Sequence, residues 1–429
     1  MYRRVLFIGA FLIHFSSYAF AQEAWTLEGS IKQALEVSPS IRSAHAEISA
    51  QKGELSQAGA WPNPSIELNA NDKLGLQDNS GGIDLTEMSF NQPIPLGRLS
   101  RQKKESNARL KAAEANLFHQ QLLQEAQAAQ SFHTLQMMTA KLRLAEEQLK
   151  IVKDYQAEAD NSSKRINTGL VRFLTPLEKK RLNIILANAE QELATSEGEY
   201  SEAVSNFKTL LHLSDNDAYE VIELETVKSP ETLDVLLKQQ ERSHPAIITL
   251  DYQQKAAEAG IVVARGEIFS DPTLSFFSER DFIHDKRRKF YGMAVNFELP
   301  LWDQKKGSIA KAKSEAEKLK YDLQAVKMEL RSKVNKNYMH LNHLIEQIEH
   351  YKNQVLVPAQ EVFDLTIKSF EVGEVDVLAL VDANNVYFDS KKHYLELIYG
   401  AWLELAELRL SAGLSLVDNK HLTDRGGKL

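Results

Sequence analysis

The sequence predicts a mixed α and β membrane fold, with long α-helical hairpins forming a tunnel and short strand pairs supplying a transmembrane β-barrel. Three observations predict it. The chain carries an internal duplication, each copy contains a strand-period tract bounded by prolines, and each copy continues into a helical tract of unusual length.

The chain opens with an export signal. Arg3 and Arg4 precede the apolar run Val5 to Phe15, and Ala19-Phe20-Ala21 places small residues at the cleavage positions. That run is too short to span a bilayer as a helix. Residues 1–21 are therefore expected to be removed, leaving a mature chain that begins near Gln22 outside the cytoplasm. No cysteine occurs, which excludes disulfides, thiolate metal sites and thiol catalysis. No later stretch approaches eighteen consecutive apolar residues, so a membrane crossing would have to be a β-barrel. The formal charge is −8, and removal of the two signal arginines takes it to −10, an acidic balance that argues against nucleic acid as a partner.

Two copies of one plan follow, assigned here to residues 22–231 and 232–429. Thr26-Leu27-Glu28 and Thr232-Leu233-Asp234 each open a helical stretch, and each is followed at the same distance by a proline, Pro39 or Pro245. Alanine-rich helix continues to about residue 60 or 268, closed by Trp61-Pro62-Asn63-Pro64 or Ser270-Asp271-Pro272. A duplication of this length means two similar units packed side by side.

The hydrophobic period then changes from helical to two. Ile66, Leu68 and Ala70 alternate with Glu67, Asn69 and Asn71, and Tyr291, Met293, Val295, Phe297 and Leu299 alternate with smaller or polar residues. Runs with one apolar and one small or polar face suit membrane barrel strands. Asn71 to Gly82 and Glu279 to Lys289 are polar and turn-rich, suited to surface loops. The tract Ile83 to Asn91 alternates poorly and is the weakest strand.

From Pro93 and Pro300 the chain enters helices expected over 98–168 and 303–370. Apart from Gly307 and Pro358 they lack helix breakers. At 1.5 Å per residue each measures roughly 100 Å. Leu135, Leu142 and Leu149 with Met138, Ala145 and Val152 form a heptad-like seam, as do Leu341, Leu344, Ile348, Tyr351 and Val355. Turns at Gly169 and Gly373 reverse the chain into return helices over 172–212 and 376–413. These are little more than half as long, and the helix preceding each strand pair supplies the missing length. A wall of uniform height results.

Four strands per chain cannot close a barrel, and open edges in lipid leave backbone groups unsatisfied. Two chains give a barrel filled by its own side chains. Three chains, with twelve strands, are the fewest that leave a water-filled conduit.

The junctions Phe90-Asn91-Gln92-Pro93-Ile94-Pro95-Leu96-Gly97-Arg98 and Leu299-Pro300-Leu301-Trp302-Asp303-Gln304-Lys305-Lys306-Gly307 resemble the strand-to-helix junctions of TolC-like outer membrane factors. The tract from Gly373 to Leu380-Val381-Asp382-Ala383 resembles that family's periplasmic tip, and the likeness runs through the whole mature chain. The Pro-Leu-Gly-Arg and Pro-Leu-Trp-Asp junctions are similar to the subgroup serving heavy-metal exporters of the resistance-nodulation-division class. The resemblance implies a homotrimer with a twelve-stranded barrel in outer-membrane lipid and a helical tunnel across the periplasm. A belt made of residues 213–231 and the C-terminal tail would surround it. It further implies a passive exit duct, closed at rest and opened by a periplasmic adaptor and an inner-membrane pump. No cofactor is expected, since the chain shows no phosphate-binding loop.

Asp382 matches an acidic position of the tip signature that constricts the tunnel mouth, where a ring of carboxylates favours cations. A solvated acid on a helix face is the other reading. Ala379 stands where the family has a second acid, and Asp376, one turn nearer the tip, is the candidate substitute. Gly169, Leu170, Gly373 and Glu374 match the tips that meet the adaptor, and helix capping suits the two glycines equally. His340, His343 and His350 share a stretch with Glu346 and Glu349, but one helix seldom provides three or four converging ligands, so a polar face is expected and no metal site. A duct for drug efflux or type I protein secretion fits the same pattern. A periplasmic adaptor would carry one helical hairpin in small β-domains, not two tandem copies with strand pairs. No nucleophile motif or paired carboxylates suggest an enzyme.

Overall fold

The computed structural model describes residues 24–72, 83–162, 175–214, 219–283, 286–372 and 374–417. Residues 1–21, expected as an export signal, the polar stretch 73–82 expected as a loop, and Gly169 with its neighbours 163–174 lie outside these.

In chain order the first half comprises α1 (Leu27–Val37), α2 (Pro39–Ala58), β1 (Ser65–Asp72), β2 (Ile83–Pro93), α3 (Arg98–Ser162) and α4 (Pro176–Leu211). The second half comprises α5 (Leu233–Ser243), α6 (Pro245–Gly266), β3 (Thr273–Ile283), β4 (Lys286–Asn296), α7 (Lys306–Tyr351), α8 (Val357–Glu371) and α9 (Val377–Ala412). The same order of elements thus occurs twice.

Proline breaks the helix before each strand pair, where the sequence suggested a single one. Ser38 and His244 take extended or near-extended backbone and Pro39 and Pro245 start new helices. A proline ring disfavours the helical conformation of the residue before it, and its missing N–H is harmless at a helix start. The same length is therefore covered by two helices meeting at a bend.

Pro358 is absorbed differently. Its missing N–H leaves the Gln354 carbonyl without its usual donor, and the helix widens into a π turn over Lys352–Leu356, with Val357 N–H donating to the Lys352 carbonyl. The tract expected as one long helix is therefore α7 and α8 joined by a wide turn. In the first half α3 runs 65 residues without interruption.

Helix ends are closed by matched devices. Thr175 and Glu178 form a reciprocal cap at the start of α4, the Thr175 hydroxyl accepting from Glu178 N–H and the Glu178 carboxylate accepting from Thr175 N–H. At the far ends of α4 and α9, His212 and Gly413 adopt left-handed backbone. Leu213 N–H then donates to Lys208 and Leu414 N–H to Arg409.

α3 packs against α1, α2, α4, α6 and α9. Its seam is wider than a single heptad stripe. Leu144 is buried beside Ala145 and Met137 is buried one residue before the half-exposed Met138, because neighbours flank the helix on more than one side. One core gathers Ile31, Ala34, Ala128, Phe132, Leu135, Phe207 and Leu211. Its counterpart gathers Leu236, Val334, Leu341, Leu344, Ile398 and Leu408.

Between the cores lies a buried polar layer. His244 Nε2 is 3.1 Å from the Leu410 carbonyl and Nδ1 accepts from Ala246 N–H at 3.2 Å, so the ring is neutral with its proton on Nε2. Burial, aided by neighbouring His119, lowers its pKa to about 4. Burial likewise lowers His133 to about 4, against the opposing hydrogen bond that Gln136 Oε1 accepts from its Nδ1. His133 stacks on Trp402, with ring centroids 4.5 Å apart. Both rings titrate near 6.5 when unfolded, so the fold favours their neutral forms. Their stabilising contribution is full above pH 6.5 and is lost as pH falls towards 4. Thermal melting followed by helix circular dichroism should show wild type losing more stability across that window than the double variant His133→Gln, His244→Asn. The asparagine retains a side chain able to cap α6.

Candidate functional site

Two regions can carry a transport function: the sheet at one end of the molecule and the helix ends at the other. The sheet is antiparallel in the order β1-β2-β3-β4. The weakly patterned β2 lies inside it, pairing with β1 from Ser65↔Asn91 and with β3 from Pro93↔Thr273. The polar stretch Glu279 to Lys289, expected as a loop, is largely strand. β3 and β4 pair as far as Ile283↔Lys286, and backbone pairing there does not require an apolar face. Downstream, β4 ends at Asn296, short of the alternation at Phe297 and Leu299.

Cross-strand register sorts the side chains onto two faces. Ile66, Leu68, Met88, Phe90, Phe276, Met293 and Val295 share one face and remain exposed. Tyr291 extends it at 79% exposure. Glu67, Asn69, Glu87, Ser89, Asn91, Ser275 and Glu279 occupy the other face, where Asn69 Nδ2 donates to Glu87 Oε2 at 3.3 Å. An exposed apolar face of this size marks an interaction or membrane surface. β1 and β4 are the sheet's free edges. On the polar face a Cβ at Gly292 would come within 2.4 Å of the Phe277 ring, so the absence of a side chain there makes room for the aromatic opposite.

The junctions to the long helices each use one left-handed residue immediately before the helix, Gly97 before α3 and Lys305 before α7. Lys305 lacks glycine's freedom, and Asp303 holds it there by accepting from its N–H at 3.0 Å and pairing with its Nζ. Arg98 Nε and Asp271 Oδ2, 2.7 Å apart, tie the start of α3 to the turn before β3.

At the other end, Leu182 and Val377 form a buried cluster with Tyr155, Ile185, Phe370 and Val381, joining α3, α4, α8 and α9. Above it Phe363 stacks on Tyr387, with centroids 4.9 Å apart. Glu147 and Lys391, and Glu192 and Lys392, each pair at 2.8 Å across the two hairpins. Gly169, Leu170 and Gly373 lie outside the described residues. Glu374 is exposed, and its N–H returns to the Ser369 carbonyl at 2.8 Å, closing the end of α8. Asp376 is the N-cap of α9, its Oδ1 accepting from Ala379 N–H at 2.9 Å. Asp382 is exposed, off the stripe of Val377, Leu380, Ala383 and Phe388 that α9 buries. His340 Nδ1 lies 2.9 Å from Glu404 Oε2 on α9.

Sequence reasoning missed the π turn and the Glu125 contact. Glu125 is buried and accepts from the Ser415 hydroxyl at 2.7 Å and Leu416 N–H at 2.9 Å, fastening the segment after α9 onto α3. Pro358 was a readable signal for the first, whereas a lone acid in a charged helix offers none for the second.

No helix of the described residues is long and apolar enough to cross a membrane, which says nothing of a β-barrel. The sequence profile described as outer membrane efflux protein matches residues 30–211 and again 236–414. The chain belongs to the outer membrane efflux protein family, and its place is the outer membrane. The cobalt-zinc-cadmium resistance protein CzcC of Cupriavidus metallidurans is 24% identical over 381 residues, 86% of this chain and 85% of that protein. A solved structure of CusC has a TM-score of 0.73 at 17% identity, covering 92% of this chain and 96% of that one. The outer membrane protein VceC of Vibrio cholerae gives 0.73 at 16% identity, covering 91% and 97%. At those identities the structural likeness is one of fold. Members of this family are channels and not enzymes.

The cap at Asp376 generates a local prediction. Asp376→Ala should cost about 1 kcal/mol at the start of α9. Amide hydrogen exchange at Val377 to Leu380 should accelerate by roughly fivefold while the middle of α9 is unchanged.

Proposed function

We propose that three copies of this chain assemble into a passive exit duct for heavy-metal cations. The observation that carries this reading is a four-stranded sheet with free edges at β1 and β4 and an exposed apolar face. Backbone groups at an edge have no water to bind in lipid, so β4 of one copy must pair with β1 of the next until the ring closes. Three copies give a twelve-stranded barrel whose polar face, with Glu67, Asn69 and Glu87, lines the lumen. The α3–α4 and α7–α9 hairpins of three copies then form a periplasmic tunnel beneath it.

The identity to a cobalt-zinc-cadmium resistance protein along 86% of the chain supports a metal-cation cargo. In this reading a resistance-nodulation-division pump in the inner membrane supplies energy and a periplasmic adaptor meets the tips at Gly169, Leu170, Gly373 and Glu374. Asp382 lines the aperture. Its carboxylate is free of the α9 packing stripe, whereas that of Asp376 is engaged as a cap.

Light scattering in detergent, with the detergent contribution subtracted, should give the mass of three chains. A stable monodisperse monomer contradicts the barrel, since a lone chain leaves both edges open. In planar bilayers Asp382→Asn should remove cation preference and Asp382→Arg should shift selectivity towards anions. Wild-type conductance and selectivity in both variants, at low and high salt, would remove Asp382 from the pore.

A further inference from the structure

We propose that Arg280 and Lys289 form a binding site for a phosphate group of the glycolipid in the outer leaflet. The proposal rests on the barrel reading above, because that reading decides which face of the sheet meets lipid.

Arg280 and Lys289 are partners in the β3–β4 register. They belong to the same face as Ser278 and Tyr291, two residues nearer the hairpin turn, and therefore to the apolar face that includes Phe276, Met293 and Val295. Both side chains are exposed. Directly opposed residues in an antiparallel pair hold their Cβ atoms about 5 Å apart, and like charges in that position repel. Neither residue joins an ion pair among the described residues. Among the described side chains the nearest acids in register, Glu87 and Glu279, lie on the opposite face, as does Arg288 by alternation. Two cations are thus held side by side, facing outward, with no counter-charge from the sheet's described side chains.

Their depth selects the ligand. From Phe297 to Lys289 the chain advances about 26 Å at 3.3 Å per residue, or roughly 20 Å along the membrane normal after a tilt near 40°. Trp302 and Trp61, exposed at the helix end of the sheet, extend the band below Phe297. The apolar band of a membrane barrel is about 25 Å tall and edged by aromatic residues. Tyr291 supplies that edge at the hairpin end, and Arg280 with Lys289 sit just above it, at headgroup level. The hairpins point away from the periplasmic helices, so this level belongs to the outer leaflet. That leaflet, in a Gram-negative outer membrane, is built from phosphorylated glycolipid. A guanidinium presents two parallel donors to a phosphate, and an ammonium beside it adds a point charge. An anion bridging the two converts the cross-strand repulsion into attraction.

The test uses full-length protein in neutral detergent, titrated by native mass spectrometry with bisphosphorylated lipid A and with its dephosphorylated form. Wild type should prefer the phosphorylated lipid by roughly 30-fold, given the usual contribution of two basic residues near an anionic surface. Arg280→Gln with Lys289→Gln should bind both lipids alike, while Arg280→Lys with Lys289→Arg should keep the preference. Equal binding of both lipids by wild type overturns the proposal, as does an undiminished preference in the glutamine variant. Displacement of the lipid by equimolar inorganic phosphate overturns it too, because the site would then take free anions. Insertion of wild type into phosphatidylethanolamine vesicles is measured alongside. Insertion without lipid preference sinks this site alone, whereas failure to insert sinks the barrel reading with it.

Discussion

Burial of α3 is the constraint on which the rest of the structure depends. A helix of 65 residues with no interior proline or glycine runs unbroken and serves as a common support. Both halves of the chain use it. α1, α2 and α4 pack on it from the first half, and α6 and α9 from the second. Burial of apolar area along such a length outweighs the small propensity terms of single residues. Several of its polar side chains are tied to neighbouring elements. Glu125 holds the segment after α9, Gln136 donates to the carbonyls of Ile222 and Glu223, and Thr134 meets Tyr399.

The duplication then explains the differences as well as the similarities. Two near-copies packed on one another need not bury the same surface, and α3 occupies the interior position that α7 does not. The second long helix tolerates Pro358 and a π turn because no residue of that turn is buried, so a widened backbone displaces no core side chain. The same wide turn opposite Phe132 or Leu135 would disturb a packed cluster.

Membership of the outer membrane efflux protein family places these features in the setting of a channel. The chain changes hydrophobic period where the sheet gives way to the helices. The transitions at Trp61 to Pro64, Pro93 to Gly97, Ser270 to Pro272 and Pro300 to Lys305 are rich in proline and left-handed residues. Neither the period-two nor the period-3.6 pattern can continue through them. On the barrel reading proposed above, the exposed apolar face ending at Tyr291 and the two opposed cations beyond it fall at successive depths.

Much of this was legible in the sequence because it is written in period and punctuation. Alternation at Ile66 to Asn71 and Tyr291 to Val295, the absence of breakers from 98 to 162, and the paired prolines at 39 and 245 act locally, within a turn or a strand. What the sequence left open depends on neighbours distant in the chain. The strand character of Glu279 to Lys289 comes from backbone pairing between β3 and β4, which polar side chains neither signal nor forbid. The placement of β2 inside the sheet is decided by β3, some 180 residues away, and not by its own poor alternation. Asp376 and Asp382 look alike as acids near one turn. Only the folded geometry gives the first to a helix cap and leaves the second free, because a side chain's role is set by the donor that reaches it.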